Sequence, residues 1–100
     1  MRHVMVRYTV KADRAAENEA LIKAVFAELE RDKPAGLRYA TFKLEDGVSF
    51  MHLATIEDAA NNPLFAVAAF KAFSETIKDR CEEPPVTAPL TEIGSYRGIA

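Results

Sequence analysis

Hydrophobic and polar positions alternate from residue 2 to residue 11, with Val4, Val6, Tyr8 and Val10 on one side and His3, Met5, Arg7 and Thr9 on the other. A period of two with β-branched enrichment predicts a strand with one dry and one mixed face. The period then lengthens to about 3.6. Asp13 stands as an N-cap, Glu17 sits in the positive first turn, and Leu21, Ile22, Val25, Phe26 and Leu29 form one stripe as far as Asp32. Pro34 and Gly36 end this helix.

Residues 37–56 alternate again around Asp46-Gly47, a strong hairpin signal. A two-residue type I′ turn there sets the register. Lys43 faces Phe50, Thr41 faces His52 and Tyr39 faces Ala54 on one side of the hairpin. Phe42 faces Met51, Ala40 faces Leu53 and Arg38 faces Thr55 on the other. The Phe42/Met51/Ala40/Leu53 side is drier, so it is expected to pack against helices. A short helical turn is expected from Thr55 or Glu57 through Ala60. Asn62-Pro63 then reads as a cap with proline at the first helical position. It opens a second helix to about Arg80, with Ala66, Ala69, Phe70, Phe73 and Ile77 buried. Glu82-Glu83-Pro84-Pro85 is a stiff break, and residues 86–97 form a last strand that Pro89 confines to an edge or bulge.

The order strand, helix, strand, strand, helix, strand predicts one α+β domain over residues 1–100, a ferredoxin-like βαββαβ unit with a four-stranded antiparallel sheet. Both helices cover one face. The other would expose Met5, Tyr39, Phe50 and Ile93 together, a patch of the kind that marks an interface. A homodimer completing a barrel is the expected arrangement.

Composition sharpens this mainly by exclusion. The chain has 100 residues, 49% of them hydrophobic, a formal charge of −2 and a single cysteine, Cys81. It therefore lacks the basic stripe expected of a nucleic-acid partner and cannot form an internal disulfide. No run approaches the roughly 18 apolar residues of a membrane span. A soluble, cytoplasmic protein with no membrane or nucleic-acid partner is expected. No phosphate loop or metal-ligand spacing occurs, so no cofactor or metal is expected.

The candidate chemistry gathers on the mixed face. His52 sits mid-strand beside Phe50 and opposite Thr41, where an imidazole near neutrality takes a proton from a phenol or serves as a structural hydrogen-bonding group. His3 and Arg7 share the mixed side of the first strand. Arg7 there binds a carboxylate or enolate oxygen, or pairs with Glu92 or a partner's carboxylate. Tyr39 donates to a ligand oxygen or packs at the interface. With Thr41, Phe50 and Met5 these side chains make up the expected ligand-binding set. His52 is the catalytic candidate. Cys81, beside Glu82 and Glu83, reads as inert.

Several runs resemble the antibiotic-biosynthesis-monooxygenase-like domains of the dimeric α+β barrel superfamily. They are Gly36-Leu37-Arg38-Tyr39, Asp46-Gly47, Thr55-Ile56-Glu57-Asp58, Asn62-Pro63-Leu64-Phe65 and Phe70-Lys71-Ala72-Phe73. The resemblance implies two sheets packed face to face in a dimer, with a cavity between sheet and helices or between the sheets. It also implies cofactor-independent oxygenation of electron-rich aromatic molecules in some members and haem degradation in others. This chain has no tryptophan, which the oxygenase members commonly use, and no histidine in residues 63–80 to ligate haem iron. Haem degradation is therefore not expected. The expected function is a cavity for a small aromatic or apolar molecule in a monooxygenase-like dimer. The alternative is a dimer that binds a ligand without turnover or is purely structural.

Overall fold

The computed structural model describes residues 1–98. Its elements run β1 (Arg2–Val10), a 3-10 turn (Ala12–Arg14), α1 (Ala15–Asp32), β2 (Leu37–Lys43) and β3 (Ser49–Ile56). A second 3-10 turn (Pro63–Ala66), α2 (Ala68–Glu75), α3 (Ile77–Arg80) and β4 (Cys81–Leu90) follow. The four strands form one antiparallel sheet in the order β2-β3-β1-β4, the ferredoxin-like arrangement.

Helix α1 starts two residues beyond the expected cap, because Asp13 is taken up in the 3-10 turn. Arg14 closes the first turn instead, its Nε and Nη2 donating to the Glu17 carboxylate at 2.7 and 3.0 Å. Pro34 acts one residue upstream of itself. The residue before a proline is disfavoured in the right-handed helical region; Lys33 turns left-handed at φ 44° and its N–H donates to Leu29 O.

The hairpin register is the expected one in all six pairs from Lys43–Phe50 to Arg38–Thr55. The turn is not type I′, however. Gly47 has positive φ, at 77°, and Asp46 does not. Leu44 O accepts from Gly47 N–H, and Leu44 N–H donates to Ser49 O, which makes a four-residue loop. The Asp46 carboxylate holds that loop by accepting from the N–H of Val48 and of Ser49 and from the Ser49 hydroxyl. A four-residue loop keeps the pairing parity of a two-residue one, so the register survives the change of turn.

The face assignment is reversed. In β1 the dry side faces the helices, and there Tyr8 pairs with Phe50, Val6 with His52 and Val4 with Ala54. Tyr39, Thr41, Phe50 and His52 therefore point at α1 and α2, while Ala40, Phe42, Met51 and Leu53 lie on the open face with His3, Met5 and Arg7. Apolarity within the hairpin misleads because the polar members of the inner face hydrogen-bond to one another, which removes most of the cost of burying them.

Two further expectations change. The second helix is broken in two places, with Val67 extended and Thr76 out of helical geometry. Val67 is buried where Ala66 was expected and Ala66 is exposed, whereas Phe73 and Ile77 are buried as anticipated. Glu28 of α1 reaches across and accepts from the N–H groups of Ala68 and Ala69, a cap supplied by another element. Strand β4 begins at Cys81, directly after α3, so Glu82–Pro85 belong to the strand and not to a break. As an edge strand it tolerates its prolines. The chain leaves the sheet after Leu90, and Ile93 is 95% exposed rather than part of a face. Thr55 and Ile56 remain in β3, with a turn closed by Asn61 N–H to Asp58 O in place of the short helix.

Candidate functional site

The inner face of the sheet carries a line of buried polar groups at its centre. His52, 5% exposed, comes from the middle of β3. Its Nε2 lies 2.8 Å from Tyr8 Oη on β1, and its Nδ1 lies 2.6 Å from Tyr39 Oη and 3.0 Å from Thr41 Oγ1, both on β2. Beyond Tyr8 the line continues into the helices. Asn18 of α1 donates from Nδ2 to Tyr8 Oη at 3.0 Å, and Arg80 at the end of α3 donates from Nε to Asn18 Oδ1 at 2.9 Å. Arg80 also donates to Thr76 Oγ1 and to Phe73 O, and its guanidinium lies 5.2 Å from the Phe73 ring centroid. Asn18 and Arg80 are fully buried.

Aromatic rings frame the line. Tyr8 stacks on Phe50 and on His52 at centroid distances of 5.7 and 5.3 Å, and Phe73 lies 5.3 Å from the His52 ring. This setting depresses basicity and acidity alike. Burial brings His52 down to about 4 and Tyr39 up to about 12, and it holds Tyr8 well above the ordinary phenol range. At neutral pH the imidazole and both phenols are uncharged. Arg80 is pulled down by its burial but remains a cation. Among the described residues no carboxylate pairs with it, so its charge is met by a carbonyl, an amide oxygen, a hydroxyl and the face of a ring.

One end of this line opens onto a cavity of about 380 Å³ between the sheet and the α2 region. Tyr39 and His52 contribute its polar end, and Val6, Ile56, Phe70 and Phe73 are among its apolar walls, with the exposed Arg2 at its edge. The expected site residues thus divide. Tyr39 and His52 line the cavity. Thr41 and Phe50 share their face but lie in a neighbouring groove toward α1. Met5, Arg7 and His3 are on the opposite side of the sheet, where His3 Nδ1 lies 2.9 Å from Thr55 Oγ1. His3 and His52 therefore cannot approach one another, and no group of three metal-ligating side chains exists among the described residues.

Sequence reasoning missed three members of the line. Tyr8 was legible as buried, but its hydroxyl was given no partner. Asn18 sits four residues before Ile22 and so extends the buried stripe of α1 backwards, a signal available from spacing alone. From the sequence, Arg80 only marks the approximate end of the second helix. Its burial follows from the early start of β4, which leaves no loop to carry it outward.

No family model matches the sequence, and no curated protein does either. Solved structures do match. A candidate antibiotic biosynthesis monooxygenase from Bacteroides thetaiotaomicron superposes with a TM-score of 0.81 at 17% identity, covering 99% of this chain and 95% of that one. A second candidate of the same kind, from Nitrosomonas europaea, gives 0.77 at 14% identity over 94% of this chain and 100% of that one. SnoaB, a cofactor-independent oxygenase from Streptomyces nogalater, gives 0.69 at 18% identity over 97% of both chains. No helix among the described residues is long and apolar enough to cross a membrane. At these identities the likeness is one of architecture, and the chain has the ferredoxin-like α+β fold of the antibiotic-biosynthesis-monooxygenase-like domains.

Proposed function

We propose that the protein is a homodimer of the cofactor-independent monooxygenase type whose cavity, within each protomer, takes a small aromatic or apolar molecule. The observation that carries this reading is the cavity itself. Its volume of about 380 Å³ lies within the range of small-molecule sites, roughly 300–1,000 Å³. Apolar walls with one polar end suit a ring that carries an oxygen. In this reading Tyr39 meets that oxygen. His52 has both ring nitrogens engaged by hydroxyls, so it acts through Tyr39 as a positioning residue and not as a base in contact with the ligand. The apolar walls desolvate the substrate, and a hydrogen bond to its oxygen favours the electron-rich form that reacts with dioxygen.

Binding is tested with 1-naphthol as the probe. A ligand that binds only the folded state raises the melting temperature in step with its concentration. It should also perturb the resonances of Tyr39, Phe70 and Phe73. An unchanged melting curve with unmoved cavity resonances would remove the ligand reading. Oxygen uptake by the saturated protein then separates a catalyst from a binder without turnover.

The partner is assigned to the open face of the sheet, where Ala40, Phe42, Met51, Leu53, Met5 and Val86 form an apolar field. Phe42 is 44% and Val86 63% exposed in the single chain. Face-to-face packing of two such sheets covers both. Leu53→Asp, at the centre of this field between Met5 and Ala40, is expected to halve the mass seen by light scattering while leaving the circular dichroism spectrum intact. A wild-type chain that is monomeric at micromolar concentration, or a Leu53→Asp chain that stays dimeric, counts against this interface.

A further inference from the structure

The buried line behind the cavity has a direction, and the direction follows from its inner end. Arginine has donors only. Because Arg80 Nε donates to Asn18 at 2.9 Å, the atom of Asn18 facing it is the amide oxygen, and the amide nitrogen faces Tyr8. Tyr8 Oη therefore accepts on that side. Its own proton then has one neighbour to go to, Nε2 of His52 at 2.8 Å. Were Nε2 to carry a proton as well, the phenol would receive two donors and its own O–H would be buried without an acceptor, an arrangement folded proteins avoid. Tyr8, at 2% exposed, has no water to turn to.

A neutral imidazole with a bare Nε2 carries its proton on Nδ1. Nδ1 then donates toward Tyr39 Oη at 2.6 Å and Thr41 Oγ1 at 3.0 Å. Tyr39 Oη thereby becomes an acceptor from His52. Its own proton then turns either to the neighbouring Thr41 hydroxyl or to the cavity that Tyr39 lines, where an acceptor oxygen on a ligand competes for it.

We infer that Arg80 and Asn18 are positioning residues: they orient the chain Arg80 to Asn18 to Tyr8 to His52 to Tyr39 so that Tyr39 presents its O–H to the cavity, and the ligand is recognised through an acceptor oxygen, a ring-bound carbonyl above all. This rests on the reading of the cavity as a ligand site and adds the polarity of its recognition. A ligand offering only a donor would meet a donor and be rejected.

The experiment has two independent readouts. In ¹⁵N-labelled protein at neutral pH, the ring-nitrogen shifts and two-bond couplings of His52 report its tautomer, which should be Nδ1–H. Asn18→Asp supplies an acceptor to both neighbours. Tyr8 then donates to the carboxylate and accepts from Nε2–H, so the tautomer should invert and Tyr39 should turn its proton to Nδ1. The second readout compares 1-tetralone with tetralin, two bicyclic molecules differing by one carbonyl. The wild-type protein should prefer the ketone by ~tenfold, the worth of one well-formed hydrogen bond in an apolar site. The preference should vanish in Tyr39→Phe and in Asn18→Asp.

An Nε2–H tautomer in the wild-type protein, or equal affinity for the two probes, overturns the inference and leaves the cavity reading standing. Binding of neither probe removes the cavity reading and this inference with it. Should Asn18→Asp fail to fold, the wild-type tautomer and the Tyr39→Phe comparison still decide the matter.

Discussion

Arg80→Ala is expected to destabilise the protein by ~3–5 kcal/mol, the largest effect of any single substitution considered. The side chain is fully buried, and three of its nitrogens donate to Asn18 Oδ1, Thr76 Oγ1 and Phe73 O. Truncation strands Asn18 Oδ1 and Phe73 O away from water, while the exposed Thr76 can turn to solvent, and it opens a void against the Phe73 ring. Against this, the desolvation of the guanidinium is relieved, which limits the total. Arg80→Met separates the two contributions. It restores most of the volume but none of the donors, so it should recover part of the loss and no more. Arg80→Lys keeps the charge yet loses the planar fork that reaches three acceptors at once, and should also fall well short of the wild type. Urea unfolding followed by circular dichroism measures all three. If Arg80→Met were as stable as the wild type, the polar contacts of Arg80 would carry no net stability.

The second large effect is a loss of stability in mild acid. His52 titrates near 6.5 when the chain is unfolded and at about 4 when folded, its burial disfavouring the charged ring. Between those values the unfolded chain binds more protons than the folded one. Stability therefore rises with pH across this window and is fully present above about 6.5. As pH falls it is lost progressively, by about 3 kcal/mol at pH 4, and little more is lost through this group below its folded value. The carboxylates of Glu17, Asp32 and Asp46 are held below their usual range by their hydrogen-bonding partners, so their contribution is lost at the acid end of the scan. The slope between pH 6.5 and about 5 is mainly the signature of His52. His52→Gln should lower stability at neutral pH and flatten that part of the curve. A wild-type curve level from pH 7 to 5 would mean that the ring is not buried in its neutral form.

How much of this was legible in the sequence differs by level. The identities of β1, α1 and the β2–β3 hairpin followed from period, whereas the breaks in the second helical stretch and the bounds of β4 did not. The register of the hairpin followed from Asp46-Gly47 even though the turn type did not, because a loop two residues longer preserves parity. The face of the hairpin was not legible from its own hydropathy. Phe42 and Met51 are more apolar than Thr41 and His52, yet Thr41 and His52 turn inward because Tyr8, Tyr39 and Asn18 satisfy or extend their hydrogen bonds. That information is distributed over three elements and becomes readable when β1 and β3 are paired, since the unmistakably dry side of β1 fixes the inner side of β3. The candidate set divides for the same reason: Tyr39 and His52 line the cavity, whereas Met5, Arg7 and His3 were grouped with them by an assignment of faces that the pairing reverses. Arg80 was out of reach because its burial depends on where β4 begins, and the paired prolines concealed that start.

Those prolines bear on how copies of the chain meet. Pro84, Pro85 and Pro89 give the border strand β4 three residues without an amide proton, and because neighbouring amides face opposite sides, one of the adjacent pair Pro84-Pro85 leaves a gap on the free border. The opposite border, β2, carries the exposed charges of Arg38 and Lys43. Prolines interrupt the donors of one border and exposed charges guard the other, so addition of a further strand is disfavoured at both. That leaves the flat of the sheet as the surface on which the proposed homodimer would form, and a face-to-face pair closed in this way would have no free face left to propagate from.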